Sequence, residues 1–418
     1  PRSRHVMDLI LASLRYWVQE VHVDGFRFDL AATLGRDDHG FSPDHPLLRA
    51  IITDPVLRGV KLIAEPWDVG TGGWQTGSFP APFTEWNDAF RDDVRTFWLA
   101  DRAVRERTGE QATGGVRDLA TRLAGSSDLF TGQDPPELPA GRSLRSPWAS
   151  INYVTAHDGF TLRDLTVYET KRNHANGEDN RDGTCDNRSY HHGHEGELVP
   201  GTAHAERIEQ SRRRTARSVL ATLLLASGTP MLTAGDERGR TQRGNNNAYC
   251  QDNEISWVDW RRTRRADQLR ETVTRLLRLR GEHPQLRAPH FLRPADPNAL
   301  DAGQVAWFGA DGQELEHEDW MDPSQHLLAM LRPAVPARDG SEHLLVILSA
   351  EAEDVRVQLP GAPWPQGSAR LLLDTALESP EDLAHGPLVA RALTVAPGSV
   401  VVLGITPAGA GGAPEPLS

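Results

Sequence analysis

Val21-His-Val-Asp-Gly-Phe-Arg-Phe-Asp29 reads as a short buried strand that ends in a carboxylate. Immediately before it, Met7, Ile10, Leu11, Leu14, Trp17, Val18 and Val21 recur at three- and four-residue spacing. That periodicity predicts a helix with one apolar face over residues 7–21. After it the unit repeats. A helix over 46–57 precedes the strand Val60-Lys-Leu-Ile-Ala-Glu65, and a short segment, 83–90, precedes a helix carrying Val94, Phe97 and Trp98. Further on, Ile151-Asn-Tyr-Val-Thr-Ala-His-Asp158 reads as a strand, and the helix 208–226 feeds the strand 230–234, closed by Gly235-Asp-Glu237. Helices alternating with short apolar strands predict a parallel sheet with helices packed outside it. Three of the strands end in acidic residues, where a (β/α)8 barrel carries its chemistry. At most five strand candidates occur, so the expected fold is a partial barrel.

From about residue 300 the alternation gives way to apolar runs at 343–348, 355–359, 370–373 and 399–403, separated by Pro/Gly-rich turns. This pattern predicts an antiparallel β-sandwich. The expected organisation is therefore 1–299 for the partial barrel, 300–405 for the sandwich, and 406–418 for a disordered Gly/Ala/Pro-rich tail.

The formal charge of −13 argues against a nucleic-acid partner, which selects a basic face. It suits a neutral substrate. The best apolar run, 219–226, falls far short of the ~20 residues that cross a bilayer, so no membrane association is expected. Two cysteines, Cys185 and Cys250, exclude a disulfide framework and point to a reducing, cytoplasmic compartment. The chain opens at Pro1 directly into a helix, which suggests that the beginning of a protein is missing.

Asp29 and Glu65 end consecutive strands joined by one helix. Neighbouring parallel strands lie about 4.8 Å apart, and a retaining glycosidase needs two carboxylates about 5–5.5 Å apart. One carboxyl of such a pair must keep its proton near neutral pH, and a second carboxylate close by pushes it that way. Singly, each has a plainer reading: Asp29 as a helix N-cap, Glu65 as a solvated strand end.

The surrounding words shift that balance. Val23-Asp-Gly-Phe-Arg-Phe-Asp29, Ala64-Glu-Pro-Trp67 and Val154-Thr-Ala-His-Asp-Gly-Phe160 resemble, in order, three of the four signature regions of the α-amylase clan of glycoside hydrolases. Lys61–Asp68, Glu85-Trp-Asn-Asp88, Ala175–Thr184 and Gly244–Asn253 are similar to the bacterial glycogen debranching enzymes and their relative isoamylase. The resemblance runs from about residue 5 to residue 404. It implies hydrolysis of α-1,6 branches in glycogen, limit dextrin or maltooligosaccharides, with no metal and no cofactor. It assigns Asp29 as nucleophile, Glu65 as acid/base and Asp158 as transition-state stabiliser. His157 and Trp67 would contact sugar, and Arg27, on the same strand face as Asp29, would keep that carboxylate ionised and oriented. Arg238 departs from the pattern, which has an aromatic there. The family's N-terminal β-domain and first three barrel strands have no counterpart, so the isolated chain is expected to be poorly stable and nearly inactive. Rival readings are an amylase or transglycosylase of the same clan, and a non-catalytic glucan-binding remnant.

Other signals are weaker. Glu178–Gly183 imitates the start of an EF-hand loop, but position twelve is Ser189 where a bidentate Glu is needed. His191, His192 and His194 fit no closed zinc spacing and read as a solvated loop. Asn187-Arg-Ser189 matches a glycosylation sequon without secretory context. Trp67, Trp74 and Trp86 leave sugar platform and core packing equally open, whereas Trp257 and Trp260 are assigned to packing.

Overall fold

A computed structural model describes residues 3–109, 115–131, 145–334, 342–379 and 387–407. Five strands form one all-parallel sheet in chain order: β1 (Gly25–Phe28), β2 (Lys61–Ala64), β3 (Thr84–Asn87), β4 (Ser150–Asn152) and β5 (Thr229–Pro230). The helix α1 (Arg4–Gln19) leads into β1, and α2 (Pro46–Thr53) links β1 to β2. After β3, α3 (Asp88–Arg95) continues through a π turn (Thr96–Ala100) into α4 (Asp101–Thr108). The long α5 (Ala203–Leu225) enters β5, and α6 (Arg264–Glu282) follows it.

Two expected strands are shorter than their apolar runs. Beyond Asn152 and Pro230, side chains take over the ladder's hydrogen bonds. The Arg95 guanidinium donates to the Val154 carbonyl at 2.8 Å, and the Thr233 hydroxyl donates to the Thr155 carbonyl at 2.9 Å. β1 also differs from expectation: its residues are half-buried rather than buried, because it is the edge strand of this sheet. In α1, Leu14 is buried and Met7, Ile10, Leu11 and Val18 pack beside it against Leu47, Leu48, Ile51 and Leu62. Trp17, within the helix, and Val21, beyond its end at Gln19 where the chain turns at His22, φ 62°, both stay exposed.

The C-terminal part is a mixed sheet with a small second layer. Seven strands run in the order β12 (Leu388–Val389), β11 (Gly367–Asp374), β14 (Ser399–Pro407), β9 (His343–Ser349), β8 (Leu327–Arg332), β7 (Gln304–Phe308), β6 (Arg293–Pro294). All neighbours are antiparallel except β6 and β7, which pair in parallel, so the expected purely antiparallel sandwich is corrected there. β10 (Val355–Gln358) and β13 (Ala392–Val395) form the second layer, burying Val357 and Val395 against Phe308, Ala329 and Leu403. β14 extends through Thr406 and Pro407, past the expected start of the tail, because Ser368 and Gly367 of β11 pair with those residues. The remainder of that tail, 408–418, lies outside the described residues.

One apolar core joins the two sheets. Val219, Leu220, Leu223 and Leu224 of α5 pack with Leu328, Met330, Leu344, Val346, Val400 and Val402. Buried arginines cross the same junction. Arg217 donates to the Thr375 carbonyl at 2.8 Å, and Arg332 to the Ser227 hydroxyl at 3.0 Å. Arg280 of α6 holds the carbonyls of Leu224, Ala226 and Gly228, fixing the turn that delivers β5.

Candidate active site

Parallel strands bring their carboxyl ends to one side of a sheet, and that is where the sequence-designated residues meet. Asp29 directly follows β1 and Glu65 directly follows β2. The backbone joins them first: Glu65 N–H donates to the Phe28 carbonyl at 3.0 Å, and Ala31 N–H to the Glu65 carbonyl at 2.9 Å. Leu30 adopts φ 43°, a left-handed conformation uncommon for a non-glycine residue. Its N–H donates to Glu65 Oε2 at 2.8 Å.

Arg27, on the strand face shared with Asp29, grips both carboxylates. Its Nη1 donates to Asp29 Oδ1 at 2.7 Å, and its Nη2 lies 2.9 Å from Glu65 Oε1. One planar guanidinium thus spans the pair, a geometry that suits its rigid fork. The same group lies 4.4 Å from the centroid of Trp86, within reach of a cation–π contact. The two acids differ in surroundings: the Asp29 side chain is 69% exposed and that of Glu65 only 9%. Burial pushes the Glu65 carboxyl above the usual range. The Leu30 N–H and the Arg27 charge oppose that rise, and Asp29 adds to it.

Glu65 opens into a cleft of about 650 Å³ that also contains Trp67, Trp86, His157 and Asp158. Asp158 follows β4 at the cleft wall, with His157 Nε2 3.4 Å from its Oδ2. His157 meets Trp86 edge-on at 5.9 Å between ring centroids, so the indole stands between Arg27 and His157. Asp29, by contrast, is at the rim on the edge strand and does not line this cleft. Of the tryptophans left open between platform and core, Trp67 and Trp86 line the cleft. Trp74 is exposed and donates its ring N–H to Asp88 at 2.7 Å. Trp257 and Trp260, assigned to packing, are instead among the exposed large side chains. Both follow β5 in a loop of short turns, and no described apolar surface covers them.

The opposite bank was not assigned residue by residue from sequence. Gly183, Thr184, Asn246 and Asn247 line it, knitted together by amides. Asn246 N–H donates to Asn173 Oδ1 at 2.9 Å, and the Asn246 side-chain amide donates to the Thr184 carbonyl and to Asn187 Oδ1. Asp182 accepts from both Asn176 and Asn247. Lys171 inserts its ammonium among the carbonyls of Arg181, Asp182 and Gly183, at 3.3, 2.8 and 2.9 Å. Asn187, within the sequon, is buried in this network. The run of three asparagines at 245–247 was the visible signal of it. Arg91, Asp92 and Arg188 add charge to the cleft and carried no sequence signal of their own. His192 is buried, with Nδ1 3.0 Å from the Ser211 hydroxyl. Arg212 pins the loop through the carbonyls of His191, His194 and Gly196. Among the described residues no three His, Cys, Asp or Glu side chains converge as metal ligands.

No family profile matches the chain. It is 42% identical to a glycogen debranching enzyme of Cronobacter sakazakii over 360 residues, 86% of this chain and 48% of that protein. It is 45% identical to that of Erwinia tasmaniensis over 354 residues, 85% of this chain and 47% of that one. Among solved structures, a pullulanase from Bacillus acidopullulyticus superposes with a TM-score of 0.60 at 18% identity, over 95% of this chain and 40% of its own. A pullulanase from Anoxybacillus sp. LM18-11, complexed with maltotetraose, gives 0.60 at 22%, over 96% and 47%. At such identities these two likenesses speak for the fold alone. The chain spans about half the length of the curated relatives it matches, and over that half it is a homologue of the glycogen debranching enzymes.

Proposed function

We propose that this chain carries the reacting carboxylates of a retaining glycoside hydrolase that cleaves α-1,6 branch linkages in glycogen, limit dextrin or maltooligosaccharides. The observation that carries the proposal is the Arg27 guanidinium shared by Asp29 and Glu65. Of the pair, Asp29 is open to solvent as the nucleophile, and Glu65 is the acid, buried and pushed up by that burial against the opposing charge of Arg27. Those are the two roles a retaining mechanism separates. Asp29 attacks the anomeric carbon while Glu65 gives its proton to the departing glycosidic oxygen. Glu65 then takes a proton from water, and that water displaces Asp29 from the sugar. Asp158 faces the developing positive charge, His157 and Trp67 hold the ring, and Arg27 keeps the nucleophile oriented. These steps use side chains only and call on no metal or organic cofactor.

The five parallel strands, over 1–299, are on this reading part of a (β/α)8 barrel, with 300–405 as its C-terminal sheet domain. Names of the relatives by sequence, glycogen debranching enzymes, support a glucan substrate. No described helix is long and apolar enough to cross a membrane. We place the protein in the cytoplasm on the strength of two unpaired cysteines.

A second reading, glucan binding without turnover, draws on the position of Asp29 at an exposed sheet edge. Incubation with amylopectin and, separately, with linear maltodextrin distinguishes the two. Debranching releases linear chains from amylopectin and leaves maltodextrin intact, and Glu65→Gln lowers that rate by about 10²–10⁴-fold. Retention of maltooligosaccharide with no new reducing ends from either substrate would favour the second reading. Equal cleavage of both substrates would assign the chain to an α-1,4 specificity.

A further inference from the structure

The cleft does not end at Asp158. A second hollow, of about 510 Å³, shares Trp86, His157 and Asp158 with it and runs on to Arg240, Tyr249 and Ser256. A third, of about 580 Å³, shares Arg240 and continues past Trp257 to Asp259. Through these shared residues the three hollows adjoin in turn, and we read them as one trough that starts at Asp158. Along it two aromatic rings face water: Tyr249 is 71% exposed and Trp257 58%, while Trp260, also exposed, lies outside its lining.

These rings are exposed yet fixed. Gln251 anchors their loop by donating to the Ala175 carbonyl at 3.0 Å and to Asn176 Oδ1 at 2.8 Å. Trp257 donates its ring N–H to Asp252 at 3.0 Å, and its backbone N–H to the Asn253 carbonyl at 3.0 Å. Trp260 carries the Arg238 guanidinium over one face, 5.6 Å from the centroid, and Arg238 is held in turn by the carbonyls of Trp260 and Arg261. Beside Trp257, Arg243 and Glu254 pair at 2.8 Å and offer charged groups at the rim. Flat apolar faces set among hydrogen-bonding groups match a pyranose, whose ring face is apolar and whose edge carries hydroxyls. An exposed aromatic on a braced loop also loses little freedom when a ligand stacks on it.

We propose that this trough binds the outer glucose units of an α-glucan chain, with Tyr249 and Trp257 as stacking platforms, and that it makes affinity depend on chain length. The proposal rests on the glucan reading of the cleft. Its occupant follows from continuity, because a chain seated at Glu65 and Asp158 has this trough as its path outward.

The test is calorimetric titration of the whole chain with maltotriose and with maltoheptaose. The chain is used unaltered and as Tyr249→Ala, Trp257→Ala and Trp257→Phe, each matched to the parent by thermal melting. Maltoheptaose is expected to bind more tightly than maltotriose. Each alanine substitution weakens maltoheptaose by about three- to tenfold, while maltotriose stays within about twofold. Trp257→Phe keeps most of the gain. The proposal is overturned if maltoheptaose gains nothing over maltotriose, or if the gain survives both alanine substitutions. It is equally overturned if both sugars weaken together or neither binds. Tryptophan-dependent binding of maltoheptaose with no binding of maltotriose would sustain the trough and count instead against the cleft.

Discussion

Arg27→Met removes a charge and a fork while leaving an apolar stem of similar reach. Three contacts go with it: the 2.7 Å hydrogen bond to Asp29, the 2.9 Å ion pair with Glu65 and the stack over Trp86. A hydrogen bond to a charged group contributes about 1.5–3 kcal/mol, and about 1.4 kcal/mol is a factor of ten in rate. Loss of the Asp29 bond alone, if its effect falls on the attacking step, lowers kcat/KM by about 10- to 200-fold. The Glu65 contact supplies a second signature with a definite sign. Arg27 opposes the burial that raises Glu65, so its removal lets that carboxyl rise further. The alkaline limb of the rate profile, where the acid form disappears, then moves to higher pH. Arg27→Lys restores the charge without the fork. It draws the limb back and recovers only part of the rate. Initial rates on α-glucosyl fluoride across pH read both effects. A rate for Arg27→Met within about threefold of the parent, or an alkaline limb moved to lower pH, would refute the bridging role.

Asp164 and Asp236 are buried and both raised to about 6, chiefly by desolvation. The folded state therefore holds protons that the unfolded chain has released. This contribution to stability is present below about pH 4 and is lost as the pH rises through 6. Denaturant midpoints should fall over that window, and Asp164→Asn with Asp236→Asn should flatten the slope. Arg280→Met leaves the carbonyls of Leu224, Ala226 and Gly228 without their buried donor, and should cost about 2–4 kcal/mol in a urea titration. A loss below about 0.5 kcal/mol would mean the turn before β5 does not depend on it. Cys185 and Cys250 are both exposed, so a colorimetric thiol reagent should titrate two thiols in the native chain, with no further phase on unfolding.

Much of this was legible because periodicity and chain order are local. The alternation through residue 234 announced five parallel strands in sequence order, and five form one sheet. Acidic residues at strand ends pointed to the side on which Asp29, Glu65 and Asp158 gather. What stayed hidden depends on long-range partners. Arg95 gives no sign in sequence that it will take the Val154 carbonyl and cut a strand short. The network of Lys171, Asn173, Asp182 and Asn246 joins stretches more than sixty residues apart, and only its asparagine run was visible in advance. Trp257 and Trp260 were misjudged because burial is the commoner fate of tryptophan, and sequence does not say which apolar surfaces find cover. β8, which pairs with β9 in the second sheet, and β7 on its other side were not singled out at all.

α5 leans on β8, β9 and β14 with the same leucines and valines that fill the space behind the parallel sheet, while Arg217 and Arg332 stitch the backbone across. A cut near residue 300 would uncover the apolar face of that helix, part Arg217 from the Thr375 carbonyl and take Arg332 away from Ser227. Anyone trimming this polypeptide to a minimal catalytic piece should therefore expect insoluble material. Calorimetry of the intact chain should give one melting peak shared by both sheets, not two.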